Sequence, residues 1–253
     1  MDLGLKGLNV LITGGSKGIG RRCAEIFAEE GANVAICARD NAGVTETIAA
    51  LKARGVTAIG RGVDVGRKHA LSSWVADSAA ALGGIDIVVA NVSALAVGDD
   101  EAAWEAGFEV DMMHSVRLVA AAMPWLERSR AASITLISSV SGREIDFAGS
   151  AYGAFKAALV HYAQGLAVKL APRGIRANTV SPGNTYFEGG VWQSIERHNK
   201  TFFDEALAMN PMGRMARPEE IARGVVFLAS PASSFTTGTN LVIDGALTRG
   251  VQL

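Results

Sequence analysis

The sequence predicts a doubly wound α/β fold, a parallel sheet with helices on both faces. Three observations predict it. Short apolar runs alternate with longer stretches of helical periodicity, most of the runs are apolar on both faces, and the first leads through a glycine-rich turn straight into a helix.

The predicted strands follow in order. They are "NVLITG" from Asn9, "NVAICAR" from Asn33, "TAIGRGVDV" from Thr57, "IDIVVAN" from Ile85, "SITLISS" from Ser133, "IRANTVSPG" from Ile175 and "TNLVIDG" from Thr239. Helix candidates lie between them. In "IGRRCAEIFAEEG" the apolar Ile19, Cys23, Ile26 and Phe27 share one face, and Gly31 is placed to cap the C-terminus. Strand–helix alternation with right-handed crossovers gives a doubly wound sheet. With 253 residues, 49% of them hydrophobic, the chain suits one domain spanning 1–253 around a large core. The rhythm breaks only at 184–215, which reads as an insertion.

Composition excludes several function classes. A net charge of −1 without a lysine or arginine run argues against nucleic-acid binding. No apolar stretch approaches the ~20 residues that span a bilayer. The N-terminal "MDLGLKGLNVLITGG" lacks the basic segment and cleavage site of a signal peptide. Cys23 and Cys37 have no metal-ligand spacing and read as reduced core residues. His69, His114, His161 and His198 show neither triad nor metal spacing, so all four read as structural and no metal is expected. A cytoplasmic protein that touches neither nucleic acid nor membrane is the expectation.

The turn after the first strand is "TGGSKGIG", Thr13 to Gly20. The spacing G-x-G-x-x-G does not fit, but Gly14-x-x-x-Gly18-x-Gly20 does, in the same strand–turn–helix setting. Without Cβ atoms the backbone turns tightly and can approach a pyrophosphate seated on the helix N-terminus. The spacing and its setting predict a dinucleotide-binding turn. At the end of the second strand, where a carboxylate would hydrogen-bond a ribose 2′-hydroxyl, the chain has Ala38 and Arg39. Asp40 lies one residue too far. Arg39, with Lys17 from the turn, favours a 2′-phosphate and therefore NADP(H) over NAD(H).

With "YGAFK" added to this turn, the chain resembles a short-chain dehydrogenase/reductase over nearly its whole length, similar to NADP-dependent carbonyl and 3-oxoacyl reductases. "TGGSKGIG", "VDV", "NTVSPG", "RPEEIARGVVFLAS" and "LVIDG" match further segments of that family. The resemblance implies cofactor contacts from Gly14, Ser16, Lys17, Gly18, Ile19, Gly20, Arg39, Asp64, Val65, Asn91, Tyr152, Lys156, Pro182, Gly183 and Thr185. It implies a catalytic set of Ser139, Tyr152 and Lys156, with Asp111 in a proton relay.

The chemistry suits these residue types. Tyr152 and Lys156, four apart on a helix, share one face at about 5–6 Å between Cβ atoms. A free phenol titrates near pH 10, and a neighbouring ammonium stabilises the phenolate, so Tyr152 becomes a better general acid toward a carbonyl oxygen. By resemblance Lys156 also holds the nicotinamide ribose. Family spacing puts the catalytic serine thirteen residues before the tyrosine, selecting Ser139 over Ser138, with Ser141 a weaker candidate that reads more as a loop residue.

Two family positions depart. The chain has "ANVS", Ala90 to Ser93, where Asn-Asn-Ala-Gly is usual, and Asp111 where an asparagine is usual. By resemblance the asparagine's main-chain carbonyl holds a relay water. Two outcomes follow: Asp111 substitutes through its carbonyl alone, which is the expectation, or its carboxylate holds the lysine's charge.

The insertion supplies Tyr186, Phe187, Val191, Trp192, Phe202, Phe203, Leu207 and Met209 as walls of a substrate cleft, with Gly189–Gly190 as a hinge and Phe147 as a further wall. A largely apolar or aromatic ketone, or its secondary alcohol, is the expected substrate. An acyl chain on an acidic carrier protein is the rival, docking on Arg128, Arg130 and Arg173. A non-catalytic dinucleotide-binding sensor is a third reading, against which the intact Ser139, Tyr152 and Lys156 argue. The helix after Tyr152 is rich in small residues on several faces. Resemblance then implies a homotetramer, or a homodimer, built on it and on the helix of Asp111, with "DGALTRGVQL" adding a second interface.

Overall fold

In a computed structural model, which describes residues 1–251, all seven apolar runs are strands. They are β1 (Asn9–Thr13), β2 (Asn33–Ala38), β3 (Ala58–Gly62), β4 (Ile87–Ala90), β5 (Ser133–Ile137), β6 (Arg176–Pro182) and β7 (Asn240–Ile243). They form one parallel sheet in the order β3-β2-β1-β4-β5-β6-β7. The central strands β1, β2, β4 and β5 have almost no exposed residue, as double-sided apolar runs require. At the edge, β3 departs from that pattern: Gly60 and Arg61 are exposed because only one neighbour covers it.

The helices are α1 (Gly18–Glu29), α2 (Asn41–Lys52), α3 (Lys68–Leu82), α4 (Glu101–Ala106), α5 (His114–Leu126), α6 (Ala151–Leu170), α7 (Val191–His198), α8 (Lys200–Ala208) and α9 (Pro218–Ala229). On one face of the sheet Cys23, Phe27, Val225 and Val226 of α1 and α9 pack on Val10, Ile12 and Ile36. On the other, Trp74, Leu118, Leu159 and Leu166 of α3, α5 and α6 pack on Leu11, Val88 and Leu136. Both cysteines are buried in these cores, and burial pushes both thiols up. Gly31, at φ +80°, ends α1 in the left-handed conformation its position predicted.

Two local features place the site. Between α4 and α5 the helix loosens into a π-helical turn, Gly107–Met113, which carries Asp111. A Cβ at Gly107 would come within 2.6 Å of the Phe155 ring, so glycine lets this turn sit against α6. Segment 184–215 leaves the sheet after β6 and holds α7 and α8. Its ends are pinned by a bridge between Thr185 and Ala216. It is a two-helix lid on a closed neck, with Trp192, Phe203, Ala206 and Met215 as its own small core.

Candidate active site

The chain leaves β1 and β4 on opposite sides of the sheet, which opens a crevice beyond their C-terminal ends. A cavity of about 800 Å³ fills it, running from the glycine turn and Arg39 to Ser139, Tyr152 and the lid. The turn is built as its sequence demanded. Gly14 has φ +70° and Gly18 φ +54°. A Cβ on Gly14 would come within 2.8 Å of the Asn91 amide nitrogen. Lys17 N-caps α1 without a side-chain hydrogen bond, and no acidic residue occupies the first turn, so the N–H groups of that turn are left for a ligand. The cradle fits a dinucleotide pyrophosphate.

Most of the expected cofactor residues line the cavity: Gly14, Ser16, Lys17, Gly18, Ile19, Arg39, Asp64, Val65, Asn91, Tyr152, Lys156, Pro182, Gly183 and Thr185. Gly20 lies beneath the turn, where a Cβ would come within 2.3 Å of the Gly14 carbonyl oxygen, so glycine there allows the close approach of α1. Asp40 caps α2, accepting from the Ala42 and Gly43 amides, which leaves Arg39 as the charge at the end of β2. The Lys17 ammonium donates to the Gly189 carbonyl of the lid at 3.3 Å. Asn91 fastens β4 to β1, donating from Nδ2 to the Thr13 and Gly14 carbonyls at 3.1 and 3.3 Å.

Tyr152 and Lys156 share the cavity-facing side of α6, with the lysine Nζ 5.5 Å from the tyrosine ring centre. Lys156 is only 2% exposed, so its ammonium must find partners inside the protein. It donates to the Ile137 carbonyl at 3.0 Å and pairs with Asp111 Oδ1 at 3.1 Å. Here the structure corrects the expectation of a backbone-only Asp111. Its carboxylate, fully buried, faces the ammonium, and its carbonyl accepts from the Ser115 hydroxyl at 3.1 Å. Asp111 Oδ2 accepts the Ala94 amide at 3.1 Å. The two departures from the family pattern are thus one feature, because the acid on the π turn grips the altered loop after β4.

Serine geometry separates the candidates. Ser138 donates to the Lys156 carbonyl at 2.7 Å and anchors α6. Ser139 turns to the cavity and is linked at 3.2 Å to Ser141, whose hydroxyl donates to Asp146 Oδ2 at 2.6 Å. Ser141 and Asp146 both line the cavity, so Ser141 is not merely a loop residue and Asp146 is a site residue that no motif announced. A serine two places from the selected one and an acid seven places on were the available signals. His114 is structural as read, bonded through Nε2 to the Thr13 hydroxyl at 3.0 Å and through Nδ1 to the Val110 carbonyl at 3.2 Å. Burial holds its pKa down to about 4, with the nearby Lys156 charge acting in the same direction. His69, His161 and His198 are exposed.

The lid brings aromatics over the opening. Phe147 meets Trp192 and Phe202 edge-on at 5.6 and 5.1 Å, and Trp192 stacks with Phe202 at 6.1 Å. Val191 and Phe187 also line the cavity, and the Phe187 ring lies where a Gly18 Cβ would be. Tyr186 and Phe203 pack within the lid, and Leu207 joins them. Met209 is exposed and does not line the cavity, which corrects its reading as a wall residue. Arg128, Arg130 and Arg173 sit just before β5 and β6 begin, at the opposite rim of this subunit from the cavity, and Arg173 is paired with Glu127. No helix of the described residues is long and apolar enough to cross a membrane.

Known proteins agree with this geometry. Residues 14–248 match the family model described as Enoyl-(Acyl carrier protein) reductase. Isoepoxydon dehydrogenase patN of Penicillium expansum is 42% identical, over 100% of this chain and 99% of its own length. L-sorbose reductase from Gluconobacter frateurii, solved with NADPH and L-sorbose, matches with TM-score 0.90 and 27% identity over 99% of this chain and 100% of that one. A short-chain dehydrogenase from Burkholderia cenocepacia, solved with NADP, matches with TM-score 0.88 and 30% identity over 96% and 99%. A glycine turn ready for pyrophosphate, a tyrosine–lysine pair and a serine at one cavity, on this sheet, agree with these likenesses. The chain belongs to the short-chain dehydrogenase/reductase family and is an oxidoreductase that moves hydride between a nicotinamide dinucleotide and a carbonyl or alcohol.

Proposed function

We propose that the protein is an NADP(H)-dependent reductase or dehydrogenase acting on a compact, largely apolar or aromatic ketone and its secondary alcohol. One observation carries this reading: a single cavity joins Arg39 at one end to Ser139 and Tyr152 under an aromatic roof at the other. The nicotinamide dinucleotide supplies or accepts hydride when bound. The first turn of α1 would hold its pyrophosphate, Arg39 its 2′-phosphate and Lys156 its nicotinamide ribose. Tyr152 gives a proton to the substrate oxygen in reduction and takes it back in oxidation. Ser139 meets the same oxygen, and the lid excludes water from it.

Relatives named for isoepoxydon and sorbose place oxygenated substrates beside plain aromatic ketones in the test panel. The carrier-protein reading has less support, since the three arginines lie across the sheet from the cavity in this subunit. We propose a cytoplasmic homotetramer, or a homodimer, joined by the outer faces of α6 and of 101–126. Trp104 and Phe108, exposed there, pack on Phe155 of α6 at 5.7 and 6.3 Å between ring centres. The expected second interface runs into residues 252 and 253, which lie outside the described ones.

The test is a panel of ketones and alcohols followed by nicotinamide absorbance. Tyr152→Phe is expected to lower turnover by at least ~10²-fold, the lower bound for a lost general acid, with NADPH affinity within several-fold. Normal turnover in that variant rejects the mechanism. Arg39→Ala is expected to weaken NADPH binding at least ~10-fold and leave NADH unchanged, as loss of a charge-assisted contact requires.

A further inference from the structure

The Ser139–Ser141–Asp146 chain has a direction. A carboxylate only accepts hydrogen bonds. Asp146 Oδ1 takes the Ala148 amide at 2.9 Å and Oδ2 takes the Ser141 hydroxyl at 2.6 Å. The single proton of Ser141 is thereby committed outward, so its oxygen can serve Ser139 only as an acceptor. Ser139 completes the chain: its oxygen accepts the Ser141 amide at 3.2 Å, and its own proton goes to the Ser141 oxygen at 3.2 Å. Ser139 and Ser141 are each only 8% exposed, so little water competes for the bond between them, and Asp146 holds the chain from its exposed end. What Ser139 presents to the cavity is a lone pair.

We propose that Asp146, acting through Ser141, is a positioning residue that fixes the polarity of Ser139 and biases the site toward the alcohol. The inference rests on the reading that Ser139 meets the substrate oxygen. A ketone oxygen has no proton to give, so Ser139 must turn its hydroxyl away from Ser141 to reach it, and one hydrogen bond is lost. An alcohol imposes no such loss, because it donates to the lone pair or to the oxygen of Tyr152 while the chain stays intact. Asparagine at 146 removes the constraint. Its one carbonyl oxygen satisfies the Ala148 amide, and its NH₂ then donates to Ser141. Ser141 is freed to donate to Ser139, and the Ser139 proton is freed for the cavity.

The test measures binding without turnover. Calorimetry gives Kd for 1-tetralone with the enzyme–NADP⁺ complex and for 1-tetralol with the enzyme–NADPH complex, in wild type, Asp146→Asn, Ser141→Ala and Ser139→Ala. The ketone-to-alcohol Kd ratio is expected to fall roughly three- to tenfold in both Asp146→Asn and Ser141→Ala, the worth of one hydrogen bond, with NADPH affinity unchanged. A ratio that moves in Ser139→Ala but stays within twofold of wild type in the other two overturns the proposal alone. A ratio that Ser139→Ala leaves untouched, or no binding of either ligand to wild type, overturns the substrate reading beneath it.

Discussion

The floor and the lid of the cavity are both rich in apolar residues, yet different forces hold them. Two bonded polar groups lie under the floor, Lys156 with Asp111 and Thr13 with His114 and Asn91, at the ends of strands with no exposed residue. Across the opening, the lid meets the body through ring contacts, Phe147 on Trp192 and Phe202, and Phe187 over Gly18, and through the Lys17 bond to Gly189. Buried polar groups cannot part without leaving a donor, acceptor or charge unpaired, so the floor has one arrangement. Ring contacts slide or separate at the modest cost of exposing apolar area. Tyr152 and Lys156 thus stand on the half held by polar bonds, and the aromatic roof belongs to the half held by apolar contacts.

Changes to the floor should then appear as lost stability, and changes to the lid as altered KM. Asp111→Ala is the most severe, because it strands the Lys156 ammonium in a site that is 2% exposed. Breaking one partner of a buried ion pair typically costs about 3–5 kcal/mol, which chemical denaturation would measure. Asp111→Asn keeps an acceptor for the Ala94 amide, and its turnover is expected within several-fold of wild type. A collapse of turnover there, with the fold intact, would show that the carboxylate takes part in the chemistry.

His114 gives a smaller, pH-dependent effect. Its folded pKa of about 4 lies below the ordinary value of 6.5, so between those values the unfolded chain binds the proton that the folded one refuses. Stability from this residue is complete above about pH 6.5 and is lost as pH falls toward 4, by up to about 3 kcal/mol. Denaturation of His114→Gln over the same range should have a shallower slope; an identical slope would remove His114 from the floor's account. The smallest change belongs to the lid. Phe202→Ala, at a partly buried lid residue that lines the cavity, should raise KM for aromatic substrates several-fold, leave kcat nearly unchanged, and cost less stability than Asp111→Ala. A lid variant that unfolds as readily as the floor variant would erase the distinction drawn between the two.

Legibility in the sequence follows the same division. The seven strands, the glycine turn and the helix spacing of Tyr152 and Lys156 were all readable, because each is set by residues near one another in the chain. Asp111 was readable as an anomaly but not in its effect. Whether its carbonyl or its carboxylate would face Lys156 depended on the π turn at Gly107–Met113 and on how closely α6 packs there. Asp146 was visible only as an acid seven places beyond Ser139, and its role was not readable, since an exposed acid in a loop looks the same whether or not a serine hydroxyl ends on it. That the missing Cβ of Gly20 faces the Gly14 carbonyl was not readable either, since a glycine facing a ligand and one facing its own backbone leave the same letter.

By itself the sequence determined the sheet, the dinucleotide turn and the kind of chemistry, since periodicity, missing Cβ atoms and one-turn spacing act over a few residues. Only the tertiary structure decided which oxygen faces which donor: Asp111 on Lys156 and Ala94, Ser138 on α6, Ser139 on Ser141. Hydrogen bonds reach about 3 Å and depend on angle. Their pairing is settled only when elements far apart in the chain have packed.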